Sequence, residues 1–298
     1  MRWNVVELSE NGLYAKLSRG FLCVMNGEKQ LGKVIIDEMC CLLLTAEQAV
    51  LSKPLMVRLA ECGIPIVICG SNYHPISVNL PYAAHHQPNR ALDLQLSATE
   101  PLKKRLWQQV VKRKIENQAS TLKQLHPDKT SVENQFSRLA DKVRSGDPEN
   151  IEAQAAKLYW KTIMSGGFTR NSGSQDTLNA ALNYGYTVIR AACARAIVAA
   201  GLLPALGIYH SNQRNAFCLA DDLMEPYRPL VDYEIFKADN TINELDKHTK
   251  QKLAKLLVLD IEVDGKNTIV NNAMQMSAFS YVSALKDKTP RLSLPKLE

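Results

Sequence analysis

Gly201-Leu202-Leu203-Pro204-Ala205-Leu206-Gly207-Ile208-Tyr209-His210, followed by Asp221-Asp222-Leu223-Met224-Glu225-Pro226-Tyr227-Arg228-Pro229, is the stretch around which the chain is organised. Before it runs Thr177 to Ala200, rich in Ala, Leu, Val and Ile, a composition that predicts a helix buried all round. Gly201 ends that helix, and Pro204 and Gly207 set a loop that delivers His210. Asp222 and Glu225 stand at i and i+3 and share a helical face. Pro226 and Pro229 are expected to end that helix. Two acids on one face repel unless a cation or a proton resolves them. Leu219, Leu223 and Met224 argue that the pair is buried; exposed acids near a helix end are the plainer alternative.

A third contributor lies upstream. Asp147-Pro148 reads as an N-cap followed by proline at the first helical position, which puts Glu152 in the second turn. Ala156, Tyr159 and Ile163 share the Glu152 face, which is otherwise apolar or small. A carboxylate there needs a partner. The alternative is a surface Glu favoured by the helix dipole. Glu152, His210, Asp222 and Glu225 together form an oxygen-rich set with one imidazole, which suits Mg²⁺ or Mn²⁺ better than a closed zinc site. Lys157, Arg170, Arg214 and Arg228 are basic neighbours that suit phosphoryl transfer.

The 298 residues carry a formal net charge of +6, with 46% hydrophobic and 22% charged residues. These are values for an ordinary globular chain, compatible with an anionic partner but not diagnostic of one. The seven cysteines include no C-x-x-C pair and mostly sit in apolar runs, so reduced, buried thiols in a cytoplasmic protein are expected. No window reaches the length of an apolar membrane span, and no signal peptide is read at the start.

Outward from the centre, residues 1–80 read as a small β-rich domain with one helix over Ser52 to Cys62. Its strands are Trp3 to Leu8, Leu13 to Leu17, Phe21 to Met25, Gln30 to Ile36, Met39 to Leu44 and Ile64 to Cys69, with Ile76 to Leu80 at an edge. Asn26-Gly27 marks a hairpin. Residues 81–95, with Pro81, His85, His86 and Pro88, read as a linker. Residues 96–285 read as an all-α domain, giving an α+β fold class overall. The long helix Pro101 to Leu125 carries Lys103, Lys104, Arg105, Lys112, Arg113 and Lys114 on a face read as solvated or as suited to a phosphate backbone. Residues 286–298, with Pro290 and Pro295, are expected to be a loose tail.

Four motifs in order carry a resemblance: Glu152-Ala153-Gln154-Ala155-Ala156 with Tyr159-Trp160; Leu182-Asn183-Tyr184-Gly185-Tyr186; Gly201 to His210; and Asp222 to Asp232. Together they resemble the CRISPR-associated integrase of spacer acquisition along essentially the whole chain, most like its type II branch. The resemblance implies that Glu152, His210 and Glu225 bind a divalent metal, Mg²⁺ or Mn²⁺, with Asp222, Asn183 and Tyr159 in support. Glu225 stands where the family more often has Asp, one methylene longer. The implied reaction joins the 3′-hydroxyl of a captured DNA fragment to a phosphodiester at the border of a CRISPR repeat, with reversal or nuclease action on branched DNA. The implied partners are double-stranded DNA, a second copy in a homodimer, a small Cas protein bridging two dimers, and other type II Cas proteins. Tyr14, on the β-rich domain, is a candidate to stack on the end of the captured duplex; the ordinary alternative is a strand tyrosine. A stand-alone metal-dependent repair endonuclease and a catalytically silent nucleic-acid scaffold are the rival readings.

Overall fold

The computed structural model describes residues 4–70, 73, 75–81, 88–127, 130–164, 170–171, 173–174, 176–237 and 245–297. Trp3 and the His85-His86 pair lie outside them. In the first part, β1 (Asn4–Leu8), β2 (Leu13–Ser18), β3 (Phe21–Asn26), β4 (Lys29–Ile35), β5 (Met39–Leu44) and β6 (Ala49–Leu51) precede α1 (Lys53–Glu61), β7 (Ile66–Cys69) and β8 (Pro75–Asn79). They form two four-stranded sheets, ordered β1-β5-β7-β8 and β4-β3-β2-β6. The β2–β3 hairpin turns on Arg19 and Gly20, at φ 49° and 82°, the left-handed pair a tight two-residue turn demands. The β3–β4 hairpin turns at Gly27, as its Asn-Gly signal predicts.

β5 explains why both halves hold together. Its sequence, Met39-Cys40-Cys41-Leu42-Leu43-Leu44, is almost continuously apolar because both of its faces are covered. Met39 and Leu42 join Leu8, Leu22 and Leu59 in one core, while Cys40, Cys41 and Leu43 join the core of the helical part. A polar clasp reinforces the junction: Glu7 of β1 accepts from Lys250 at 2.9 Å and from the Tyr184 hydroxyl at 3.1 Å.

The helical part contains α2 (Pro88–Leu96), α3 (Glu100–Leu125), α4 (Thr130–Lys142), α5 (Ile151–Ile163), α6 (Thr177–Ala199), α7 (Cys218–Met224), α8 (Arg228–Phe236) and α9 (Lys247–Ala254). After these come β9 (Asp260–Val263), β10 (Lys266–Ile269), α10 (Val270–Asp287) and β11 (Pro295–Lys296). α6 is buried nearly all round, as its composition predicts. Gly185 lets α8 pack against it: a Cβ there would stand 2.4 Å from Val231 Cγ1. Among the described residues, no helix is long and apolar enough to cross a membrane.

Three expectations are corrected. The helical part is not all-α, because β9, β10 and β11 form a small antiparallel sheet. Asp264 and Gly265, at φ 51° and 76°, make its two-residue turn, and four-residue strands are too short to show against the helical periodicity around them. The supposed linker includes α2, whose Ala91 and Gln95 are buried. The supposed loose tail is fastened. Leu292 and Leu294 are buried, and the Asn117 side chain donates to Pro295 O at 3.0 Å and accepts from Leu297 N at 3.1 Å. Apolar Leu residues between the prolines supply the anchoring that proline content alone conceals.

Candidate metal centre

The His210 loop is built by local rules and one buried acid. Gly201, at φ 79°, closes α6. Its N–H donates to Val198 O and that of Leu202 to Ile197 O, both at 3.0 Å, the paired bonds of a Schellman cap. Asp222, fully buried on α7, then ties the loop down. Its Oδ2 accepts from Ile208 N at 2.7 Å and Tyr209 N at 2.9 Å, and its Oδ1 meets His210 Nδ1. Gly207 is required by space: a Cβ there would stand 2.3 Å from His210 O and 2.8 Å from Asp222 Oδ2. Two further groups hold the loop from outside. Gln95 of α2 donates to Leu203 O at 3.2 Å and Leu206 O at 3.3 Å, and accepts from Leu203 N at 2.7 Å. Tyr209 stacks on the buried Trp107 ring, centroids 4.6 Å apart and planes within 3°.

The Asp222 contact selects the imidazole tautomer. With Nδ1–H donated to the carboxylate, Nε2 is left with its lone pair, the arrangement metal-binding histidines use. The hydrogen bond to Asp222 holds the His210 pKa above its ordinary value, against the opposing effect of partial burial.

Glu225 reaches the same region from a different helical segment. α7 ends at Met224, before Pro226, as the sequence led us to expect, but the chain stays helical. A 3-10 turn over Glu225–Tyr227 continues α7 directly into α8, and each proline falls in the first turn of a new segment, where its missing N–H costs nothing. Glu225 is buried, and its Oε1 accepts from Arg228 Nε at 2.8 Å. Burial alone would raise its pKa, but the Arg228 guanidinium and the Lys114 ammonium outweigh that and hold it at about 2.

Glu152 comes from α5, one turn earlier than expected. The helix starts at Ile151 because Asn150, just before it, is left-handed at φ 51°, and Asp147, at φ 48°, lies outside the helix. Asp147 still acts as a cap, accepting from Ile151 N at 2.8 Å and Glu152 N at 3.0 Å. Glu152 and Glu225 then meet across Lys114 of α3. The ammonium contacts Glu152 Oε1 and lies 2.5 Å from Glu225 Oε2.

Lys114 therefore leaves the solvated face on which the sequence reading put it. It is 8% exposed. The signal was present in the spacing, because Leu106, Val110, Lys114, Asn117 and Thr121 form one buried stripe. Sequence reasoning also missed Gln95 and Trp107. The convergence expected of Glu152, His210 and Glu225 is incomplete. The two carboxylates are joined through a lysine, His210 turns to Asp222, and no three acids, histidines or cysteines among the described residues form a ready ligand group.

The supporting residues divide. Asn183 is buried and accepts from Arg170 Nη2 at 2.7 Å, and both line a pocket with Tyr186 and Arg228. The guanidinium groups of Arg170 and Arg228 both lie over the Tyr186 ring, at 5.3 and 4.8 Å from its centroid. The Tyr186 hydroxyl donates to Asp232, and Tyr159 is buried beside the same acid, packed edge-on against Phe136 and Trp160. Lys157 and Arg214 are exposed, and Tyr14 is half-exposed on β2. A groove of about 500 Å³ opens beside His210, lined in part by Lys103, Lys104, Asn212 and Gln213.

Asp232 gives a pH-dependent signature. Burial pushes its carboxyl up to about 6, with the Tyr186 hydrogen bond and the Arg228 charge opposing. The folded chain thus binds this proton more tightly than the unfolded chain, and its stability falls as pH rises from about 4 to about 6. Asp232→Asn is expected to lack that fall. Urea denaturation at pH 4.5 and pH 7 checks it, since parallel changes in both proteins contradict the assignment.

The donor set fits a hard divalent cation. Two carboxylates and one imidazole are Mg²⁺ or Mn²⁺ ligands. Glu225 Oε2 is buried and faces the Lys114 ammonium at 2.5 Å, so the position between the acids is one a cation fills.

Comparison with known proteins gives the chain a family and a fold. The family described as CRISPR associated protein Cas1 matches residues 6–268. A CRISPR-associated endonuclease Cas1 of Neisseria meningitidis serogroup C is 36% identical over 301 residues, covering 100% of this chain and 97% of its own. Among solved structures, a casposase bound to integration product superposes with a TM-score of 0.80 at 16% identity, over 97% of this chain and 92% of its own. A Cas6-RT-Cas1–Cas2 complex superposes at 0.77 and 17% identity, over 100% of this chain and 36% of that one. At these identities the two structures speak for the fold.

Proposed function

The chain belongs to the CRISPR-associated Cas1 family, and on that premise we propose that it is the divalent-metal-dependent integrase of CRISPR adaptation, of the type II branch. The observation that carries the reading is the facing pair Glu152 and Glu225, drawn to one cation beside a histidine whose Nε2 is left available. Glu152, Glu225 and His210 would hold Mg²⁺ or Mn²⁺. When bound, the metal supplies Lewis-acid polarisation of the phosphate and charge stabilisation at the leaving oxygen.

The reaction is a transesterification. The 3′-oxygen of the captured fragment forms a new bond to phosphorus, and the bond from phosphorus to the displaced 3′-oxygen breaks. The attacking hydroxyl's proton ends on the departing oxygen, so no triphosphate is consumed. Asp222 keeps His210 in the tautomer that offers Nε2. Arg228 keeps Glu225 ionised. Lys103 and Lys104, along the groove at His210, give the DNA backbone a sequence-independent track. Lys157, Arg214 and Tyr14 extend the DNA contact in this reading. Two separated joining events need two sites, which a homodimer and a small bridging Cas protein provide. The relative named in a Cas1–Cas2 complex and the casposase bound to integration product are compatible with that arrangement.

The test is an integration assay on a supercoiled plasmid carrying a repeat, with the partner protein added and Mg²⁺ or Mn²⁺ varied. Half-site joined products that require the metal support the integrase. Simple nicks without joining would favour a stand-alone endonuclease.

A further inference from the structure

We propose that Lys114 is a built-in place-holder for the divalent cation: its ammonium occupies the position between Glu152 and Glu225 in the metal-free chain, and metal binding exchanges it out. The inference rests on the metal-site reading above and goes beyond it, because it assigns a competing occupant to the site.

The geometry is specific. Glu152 comes from α5, Glu225 from the turn after α7, and Lys114 from the middle of α3, so three separate elements are built around one small cation position. The ammonium touches one oxygen of each acid. It is not a surface lysine reaching inward by chance. Its neighbours on the helix, Val110, Val111, Ile115 and Asn117, are all buried, and Asn117 donates to Pro226 O at 2.7 Å, next to Glu225. The stem of Lys114 therefore starts from a fixed point, while its four-carbon chain remains able to withdraw its head.

The electrostatics require an occupant. Two carboxylates facing each other repel, and Glu225, the more deeply buried of the two, is costly to leave uncompensated. In the metal-free chain Lys114 supplies the compensation to both acids. Arg228 cannot do so alone, since it meets Glu225 and not Glu152. Glu225 Oε2 has the Lys114 ammonium, 2.5 Å away, as its polar neighbour, so the lysine holds the place on that oxygen that another cation would take. A lysine is suited to this task, because an ammonium is compact and undirected where a guanidinium is planar and forked. Two consequences follow. The site remains folded without metal, and metal affinity is lowered by the energy of the lysine contacts that must be given up.

Full-length Lys114→Gln and Lys114→Met are the test, read by free Mn²⁺ in electron paramagnetic resonance and by thermal midpoint with and without Mn²⁺. Both variants are expected to bind Mn²⁺ at least about tenfold more tightly than the wild type. Their metal-free midpoints should fall, and Mn²⁺ should raise them by more than it raises the wild type. Lys114→Arg, which keeps the charge, should bind no more tightly than the wild type. If a variant unfolds without metal, refolding in millimolar Mn²⁺ should restore it, and failure to do so overturns the proposal. Glu225→Gln separates the two levels of the argument. If wild-type binding depends on Glu225 but Lys114→Gln binds no more tightly, the place-holder is wrong and the metal site stands. If neither the wild type nor any Lys114 variant binds Mn²⁺ through Glu225, both fall.

Discussion

Glu152→Ala is expected to reduce metal-dependent strand joining by roughly a thousandfold, the scale of removing one group that stabilises transition-state charge in a water-poor site. The fold should survive, because Glu152 is half-buried at the start of α5 and the helix is capped independently by Asp147. Lys114 would keep its contact with Glu225. Affinity for duplex DNA should hardly change, because the basic groove beside His210 is untouched. The loss should appear equally in joining and in disintegration of a branched substrate, since both run through the same phosphodiester exchange. A gel assay in Mn²⁺ reads both. Joining that persists undiminished would leave the acids a structural role and favour the scaffold reading.

Asp222 should give the second large effect, and its two substitutions should separate. Asp222→Ala removes the acceptor shared by Ile208 and Tyr209 N–H and the partner of His210, all from a fully buried position. A loss of about 3 kcal/mol in folding stability is expected, the scale of breaking one side of a buried polar pair, together with loss of joining. Asp222→Asn keeps an oxygen for the loop but presents an amide N–H₂ to His210 Nδ1. The imidazole must then accept at Nδ1 and carry its proton on Nε2, which withdraws the nitrogen offered to the metal. Joining should fall by about ten- to a hundredfold, as for other partners of metal ligands, with a much smaller stability loss. Denaturation alongside the joining assay distinguishes them. Equal stability losses in both variants would mean that Asp222 matters to the loop and not to the imidazole.

Legibility followed the range of the interactions. The loop that delivers His210 was readable because its signals are local: Gly201 ends the helix, and Pro204 and Gly207 set the turn. The hairpin at Gly27 and the buried strand Met39–Leu44 were readable for the same reason. That Asp222 ties the loop down was not read, because that contact is tertiary. Lys114 was not, because six cations along one helix read as a solvated face, and only the stripe of Val110, Asn117 and Thr121 placed it inside. α2 and the C-terminal segment were misread because prolines mark breaks in regular structure, not absence of packing. Gln95 and Leu292 lie in those segments and are held by groups more than a hundred residues away. The proline-bounded acids were taken as a helix end because proline blocks a continuing helix but permits a restarted one. In each case the missing information was tertiary: which face of an element another element covers.

The central claim is that Glu152, His210 and Glu225 form one divalent-metal site. Anomalous scattering from a crystal of the full chain grown with Mn²⁺ measures it directly. The account predicts a single strong peak between the two carboxylates, with an oxygen of Glu152, an oxygen of Glu225 and Nε2 of His210 each about 2 Å from it, and with the Lys114 ammonium withdrawn. A peak elsewhere, or the Lys114 ammonium still bridging Glu152 and Glu225 at saturating Mn²⁺, would contradict it.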